Sequence, residues 1–283
     1  MSLPRKMTLP EQSDYRGSYP VMVVADILVT GEIDHAYNCL AWTLGNTTVF
    51  LQPVEWTLTG LDDLYAMSGF VQDTYGPIAV FGTSPSLVLH AAISGKGHGP
   101  RWESKDGGEL RYQHYITDFD GSGYGIVQAH YRHSRIHFDP EVIKALKKHL
   151  GKGKDMDPYL TKEQQAALED QIQLVPNEVR ANYAAAFAAW KATWFSGHFR
   201  HSSNPATRRI GQEYSDLIAL GPAIIPLVVA SLAQPDNFMA LQLYDAIQIN
   251  AQLRVQYGFK DERILEGEQG RARRVVQAWF TNR

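Results

Sequence analysis

Asp34-His35-Ala36-Tyr37-Asn38-Cys39-Leu40-Ala41-Trp42 holds the single cysteine of the chain. Tyr37, Leu40, Ala41 and Leu44 fall on one face of a short helix, Asp34 offers an N-cap, and Gly45 with Asn46 a C-cap. The spacing therefore predicts Cys39 in the first turns of that helix. A thiol there is favoured as thiolate by the helix dipole, and an imidazole within reach would complete an ion pair. The bland reading is a buried core cysteine, since free Cys is among the most buried residue types.

Working outward, Val21–Val24 and Ile27–Val29 are apolar and read at least partly as strand, and residues 49–56 read as extended. Leu61–Met67 has helical spacing and stops at Gly69. Ile78–Gly82 and Leu87–Ile93 read as consecutive strands, the second carrying His90; Gly95-Lys96-Gly97-His98-Gly99 follows as a hairpin loop able to gate a site through Lys96 or His98. Arg101-Trp102-Glu103-Ser104-Lys105 is the next strand, and Tyr124–Tyr131 alternates as a closing one. A helix followed by successive strands is the α+β pattern, with a mostly antiparallel sheet. A polar residue after the His strand is expected to orient the imidazole, and Glu103, Ser104 and Asp106 all lie near that place.

The order of helix-borne Cys, strand-borne His and polar residue on the next strand resembles the papain-like superfamily in its broad sense, with its amidase, transglutaminase-like and deamidase branches. More narrowly, residues 34–130 are similar to a family of uncharacterised bacterial domains of that type. The likeness lies in Tyr37–Trp42 with Gly45, in His90-Ala91-Ala92, in Trp102–Lys105 with Gly107, and in Asp120-Gly121 leading to Tyr124-Gly125. It implies Cys39 as nucleophile, His90 as general base, Glu103 or Ser104 as third member, and Asn38 or the Cys39 backbone N–H as oxyanion donor, with Trp42 and Trp102 toward substrate. It implies neither metal nor cofactor. No Gln precedes the Cys at the spacing of papain-type proteases, which speaks against ordinary endopeptidase activity.

At 283 residues, 44% hydrophobic and 20% charged, the chain can bury a sizeable core, in two modest domains or one large one. We place them at 1–138, papain-like α+β, and 139–283, all-helical. Net charge is −3, and neither half is basic enough to suggest nucleic acid as partner. One cysteine excludes an intrachain disulfide framework, and no apolar run approaches the length of a membrane span. The N-terminus lacks the apolar region of a signal peptide, so a cytoplasmic site is the default, and export by a dedicated secretion system would leave the same trace.

Beyond residue 138, Asp139-Pro140-Glu141 opens a helix with Val142, Leu146 and Leu150 on its apolar face, and Gly151–Lys154 reads as a linker. Thr161-Lys162-Glu163-Gln164 starts another helix. Tyr183, Phe187, Trp190 and Trp194 mark one face of a third, read as a packing surface. Glu213–Val229 resembles a HEAT-type helical hairpin through its Gly221-Pro222 turn, further helices are expected at 238–249 and around Arg271–Trp279, and Arg271, Arg273 and Arg274 are read as a solvated face. The half is taken as a short HEAT-like domain or compact bundle that docks on the first domain or on a protein partner.

Two histidine sets, His130, His133 and His137, and His198 with His201, invite a metal assignment; the first falls across a strand end and a turn, which scatters its rings, so no ligands are assigned. Asp118 and Asp120 with Gly121-Ser122-Gly123 form an acidic loop able to hold calcium but with too few consecutive oxygen donors to resemble an EF-hand, and it is read as a solvent turn. The expected activity is a cysteine hydrolase or transferase acting on amide bonds of a peptide, a protein or peptidoglycan, as peptidase, amidase or glutamine deamidase. The alternative is a catalytically inactive papain-like fold serving as an interaction module.

Overall fold

The computed structural model describes residues 2–94, 100–134, 159–197 and 200–281. Two compact units emerge. Among the described residues the first takes 2–134 together with Arg200–Asn204 and Gly258–Leu265; the second takes 159–197, Pro205–Tyr257 and 266–281. The partition is thus not a single cut near residue 138. Two later stretches return to the first unit, and the expected boundary itself, with the 95–99 loop, the 139–150 helix and the 151–154 linker, lies outside the described residues.

The first unit is α+β, built on one eight-stranded sheet whose pairings are all antiparallel. Its strands are β1 (Arg5–Lys6), β2 (Leu28–Gly31), β3 (Phe70–Asp73), β4 (Ile78–Ser84), β5 (Leu87–Ser94), β6 (Arg101–Lys105), β7 (Arg111–Tyr115) and β8 (Ile126–His133). Their spatial order is β1-β2-β7-β6-β5-β4-β8-β3. The helices are α1 (Leu9–Ser18), α2 (Cys39–Thr43) and α3 (Leu58–Met67). The N-terminal segment, polar in sequence, forms α1 because Thr8 and Glu11 make a reciprocal capping box with Pro10 in the first turn.

Register decides which face each residue takes, because side chains alternate along a strand. Phe81 pairs with His90, Ala79 with Ala92, Ala92 with Ser104 and Ser104 with Tyr112. That face carries a buried cluster of Tyr15 from α1 and Tyr19 at its C-cap with Phe81, Ala92, Tyr112, Phe119 and Tyr124. The alternate positions Glu103 and Arg111 form an ion pair at 2.9 Å, and the Arg111 guanidinium lies 4.0 Å from the Trp42 ring. Trp42 thereby meets the sheet on the face of Glu103 and Arg111.

The second unit is helical: α4 (Lys162–Gln173), α5 (Asn177–Thr193), α6 (Gln212–Ala219), α7 (Ile225–Leu232), α8 (Leu241–Ile247) and α9 (Gly267–Thr281). Thr161 and Gln164 complete a capping box on α4. Tyr183, Phe187, Trp190 and Trp194 are all buried, so their stripe is core. Two expectations change. The segments Gln212–Ala219 and Gly221–Leu232 meet at 95°, a corner rather than the antiparallel pair of a hairpin repeat. Arg271 is not solvated: it ion-pairs with Asp245 at 2.6 Å and Glu268 at 3.3 Å, while Arg274 pairs with Glu266 and Arg273 lies over the Tyr159 ring. Asp245 and Tyr159 are partners that only the tertiary fold brings to α9, whereas Glu266 and Glu268 stand at its start. Among the described residues, no single helix is long and apolar enough to cross a membrane.

Candidate functional site

Cys39 is the first residue of α2, and its N-cap is Asn38 rather than Asp34. Asn38 Oδ1 accepts from the backbone N–H of Ala41 at 3.2 Å and of Leu51 at 3.3 Å, while Asp34 turns back to cap Ala36. Asn38 wins because its side chain bonds two segments at once and closes the first turn three residues on. At the other end Gly45, with φ +76°, and Asn46 return hydrogen bonds to Trp42 and Ala41 as their sequence predicts.

Cys39 is fully buried, and its Sγ lies 3.1 Å from Ser203 Oγ. Burial pushes the thiol up to about 11, against the hydrogen bonds from Ser203 and the Ala91 backbone that favour thiolate. The Ser203 carbonyl also accepts from Asn38 Nδ2 at 3.4 Å, although the shorter bond of that amide, 2.7 Å, goes to Leu51 O. The Arg200–Asn204 stretch therefore lies on the predicted nucleophile and on the predicted oxyanion donor together. Gly107 makes room for it: with φ +45°, a Cβ there would stand 2.8 Å from the carbonyl oxygens of Arg200 and Ser202. Tyr124 Oη donates to His201 O, and Arg200 pairs with Asp14 at 3.0 Å.

His90 is fully buried on β5, its ring stacked on Tyr124 at 4.2 Å and edge-on to Phe119. Its Nε2 lies 2.9 Å from Ser104 Oγ, and its Nδ1 has no hydrogen-bond partner. Neither nitrogen is bonded to Cys39, so the expected Cys–His pair is not formed in this structure. Burial drives the imidazole down to about 3, Asp106 opposing. Ser104 continues to His114 Nε2 at 2.8 Å, and His114 Nδ1 meets the Tyr115 carbonyl at 2.6 Å. Burial holds His114 at about 4.

Of the three candidates for third member, Ser104 alone meets His90. Glu103 faces the other way to Thr30 at 2.6 Å and Arg111. Asp106, fully buried, accepts from Tyr19 Oη at 2.6 Å and from Tyr112 Oη at 3.0 and 3.1 Å. His201 Nδ1 approaches it at 3.3 Å, off the line of a hydrogen bond. Burial raises its carboxyl, and His201, His90 and Tyr19 together bring it below the usual value. Lys105 is buried too, donating to the Gly107 and Glu109 carbonyls and lying 4.9 Å from the Tyr37 ring; burial lowers its ammonium to about 8. Trp102 stands 5.6 Å from the His130 ring and Trp42 under Arg111, so the structure gives neither a contact with the thiol.

Of the histidine sets, His130 and His133 sit three apart on β8, and His201 joins Asp106; His137 and His198 lie outside the described residues. Among the described residues no three His, Cys, Asp or Glu side chains gather as a metal centre. Sequence reading missed His114 and Ser203, and weighed His201 only as one of a metal-tempting pair. His114 was within its reach, standing at an alternate position of a strand directly after the Ser104 strand. Ser203 was not, since nothing local marks it.

Residues 28–132 match a family described as a domain of unknown function (DUF7689). That stretch runs from β2 through almost all of β8 and holds Cys39, His90, Ser104, Asp106 and His114, but not Arg200–Asn204. No curated protein and no solved structure matches the chain.

Proposed function

We propose that the first unit is a papain-like, thiol-dependent amide hydrolase or transferase, described here in a closed resting state. The observation that carries the reading is Ser203: its hydroxyl already lies on Cys39 and its carbonyl within reach of Asn38 Nδ2. A peptide or protein amide taking the place of Arg200–Asn204 would offer its carbonyl to the same thiol and the same donor. In the open form Cys39 gives its proton to His90, the thiolate adds to the carbonyl, and the imidazolium returns the proton to the departing amine. Water or an acceptor amine then releases the acyl group, which yields hydrolysis, deamidation or transfer. Peptidoglycan is the other amide-bearing substrate of this class. A protein partner for the helical unit and a cytoplasmic or exported setting belong to the same proposal.

A second reading, a non-catalytic interaction module, is favoured by the sealed thiol at about 11 and by a His90 engaged with Ser104. Iodoacetamide labelling of Gly107→Ala against pH separates the two, because that substitution unseats Arg200–Asn204 without touching thiol or imidazole. An enzyme gives an apparent thiol pKa below the free value of about 8.5 that rises when His90→Ala is added. A value at or above it, unmoved by His90→Ala, leaves the interaction module.

A further inference from the structure

We propose that His114 is a positioning residue: through Ser104 it holds His90 in the tautomer that leaves Nδ1 as a bare lone pair, the form a base for Cys39 needs. The base role rests on the hydrolase reading above, whereas the order of hydrogens in the relay stands independently of it.

The order follows from what each group can donate. The Tyr115 carbonyl only accepts, so His114 Nδ1, 2.6 Å away, carries the hydrogen between them. Burial keeps that ring neutral, which makes its Nε2 an acceptor. Ser104 has one hydroxyl hydrogen, and at 2.8 Å from His114 Nε2 it donates there. The remaining contact, His90 Nε2 to Ser104 Oγ at 2.9 Å, must then run the other way, Nε2–H donating to the serine oxygen. His90 is neutral as well, so its Nδ1 bears no hydrogen, and that nitrogen is the buried ring atom without a partner. The opposite tautomer would set lone pair against lone pair at Ser104 and leave a buried N–H with no acceptor.

Geometry supports a dedicated device. The three residues lie on the adjacent strands β5, β6 and β7, and Tyr124 and Phe119 clamp the His90 ring, so strand register fixes the relay. In the proton step the Cys39 S–H bond breaks and an N–H bond forms at His90 Nδ1, giving a thiolate–imidazolium pair. The Nε2–H stays on Ser104 throughout. Without His114, the Ser104 hydroxyl is free to donate to His90 Nε2 as well as to accept from it, so the lone-pair clash that excluded the Nδ1–H form is gone and that form becomes populated beside Nε2–H.

Two-bond 1H–15N spectra of the full chain with labelled histidine read the tautomer directly, His90→Gln assigning the signal. The expected result is a single Nε2–H form of His90 in the natural chain, a measurable Nδ1–H fraction in His114→Ala, and return to Nε2–H alone in His114→Gln, whose Oε1 accepts the Ser104 hydroxyl. An Nδ1–H form in the natural chain overturns the proposal, as does an unchanged tautomer in His114→Ala. If His114→Ala does not fold, Ser104→Ala takes its place: a His90 tautomer still fixed at Nε2–H there overturns the proposal equally. A fixed Nε2–H form combined with an inert Cys39 in Gly107→Ala would sink the hydrolase reading and leave the relay intact.

Discussion

Ser203 sets its hydroxyl 3.1 Å from the Cys39 thiol across 164 residues of sequence. The contact is held from three directions: Asp106 faces His201, Tyr124 holds the His201 carbonyl, and Gly107 supplies the space. A buried thiol with a hydroxyl on it is a poor nucleophile, so whatever seats this segment also sets the reactivity of Cys39.

Two substitutions should separate covering from hydrogen bonding. Ser203→Ala keeps the segment but removes a hydrogen bond that favours thiolate, so the apparent thiol pKa moves above about 11 and labelling slows at every pH. Gly107→Ala forces a side chain against two carbonyl oxygens at a positive φ and should speed labelling at pH 8 by roughly tenfold or more, equal to about 1.4 kcal/mol off the opening equilibrium. Mass spectrometry of the single alkylated thiol measures both. Faster labelling in Ser203→Ala would contradict the account.

Acid should destabilise the first unit well above the carboxylate range. An unfolded histidine takes up a proton near pH 6.5, whereas folded His90 waits until about 3 and His114 until about 4. Between those limits the unfolded chain binds more protons, so stability falls as pH falls. The expected loss is about 2 kcal/mol for each histidine between pH 7 and pH 5. Asp106, held below its ordinary value, adds its own loss only at lower pH. Urea midpoints across this range test the slope, which His114→Gln should make shallower by one histidine's share.

Asp106→Asn acts on two levels. It takes the charged acceptor from Tyr19 and Tyr112 in a dry site, at about 2–4 kcal/mol of stability. It also removes a negative charge that raises the Cys39 thiol and loosens the seat of His201, so labelling should quicken in a chain that still melts cooperatively. Thermal melting with a parallel labelling assay measures both, and a stable variant with an unchanged labelling rate would disprove the link from Asp106 to the thiol.

How much of this was legible depended on the range of the interaction. Periodicity placed β4, β5, β6, β8 and α3, and the Gly45-Asn46 signal ended α2, because alternation and capping are local. The Thr8-x-x-Glu11 box was equally local, yet the polar composition around it hid α1. Choosing Ser104 over Glu103 required the register of β5 against β6, since a shift of one residue would exchange their faces. Ser203 and His201 reach the site only through tertiary return of the chain, for which single-sequence reading has no pattern. The same limit misread Arg271, whose partners lie on another helix and at the buried start of its own.

That buried ion cluster yields the last expectation. Asp245 and Glu268 sit with Arg271 in the helical unit, and burial raises both carboxyls above their ordinary values despite the guanidinium. Arg271→Met removes the compensating charge and leaves two acids in a dry site, at about 3–5 kcal/mol. A carboxyl raised on folding holds its proton longer than the unfolded chain does, so its penalty grows as pH rises through the unfolded value toward the folded one. The loss in Arg271→Met should therefore be smaller at pH 5 than at pH 8, where both acids must ionise or carry a cost for staying neutral. Urea unfolding of the two chains at the two pH values measures the difference, and an equal loss at both would mean that the acids are already solvated.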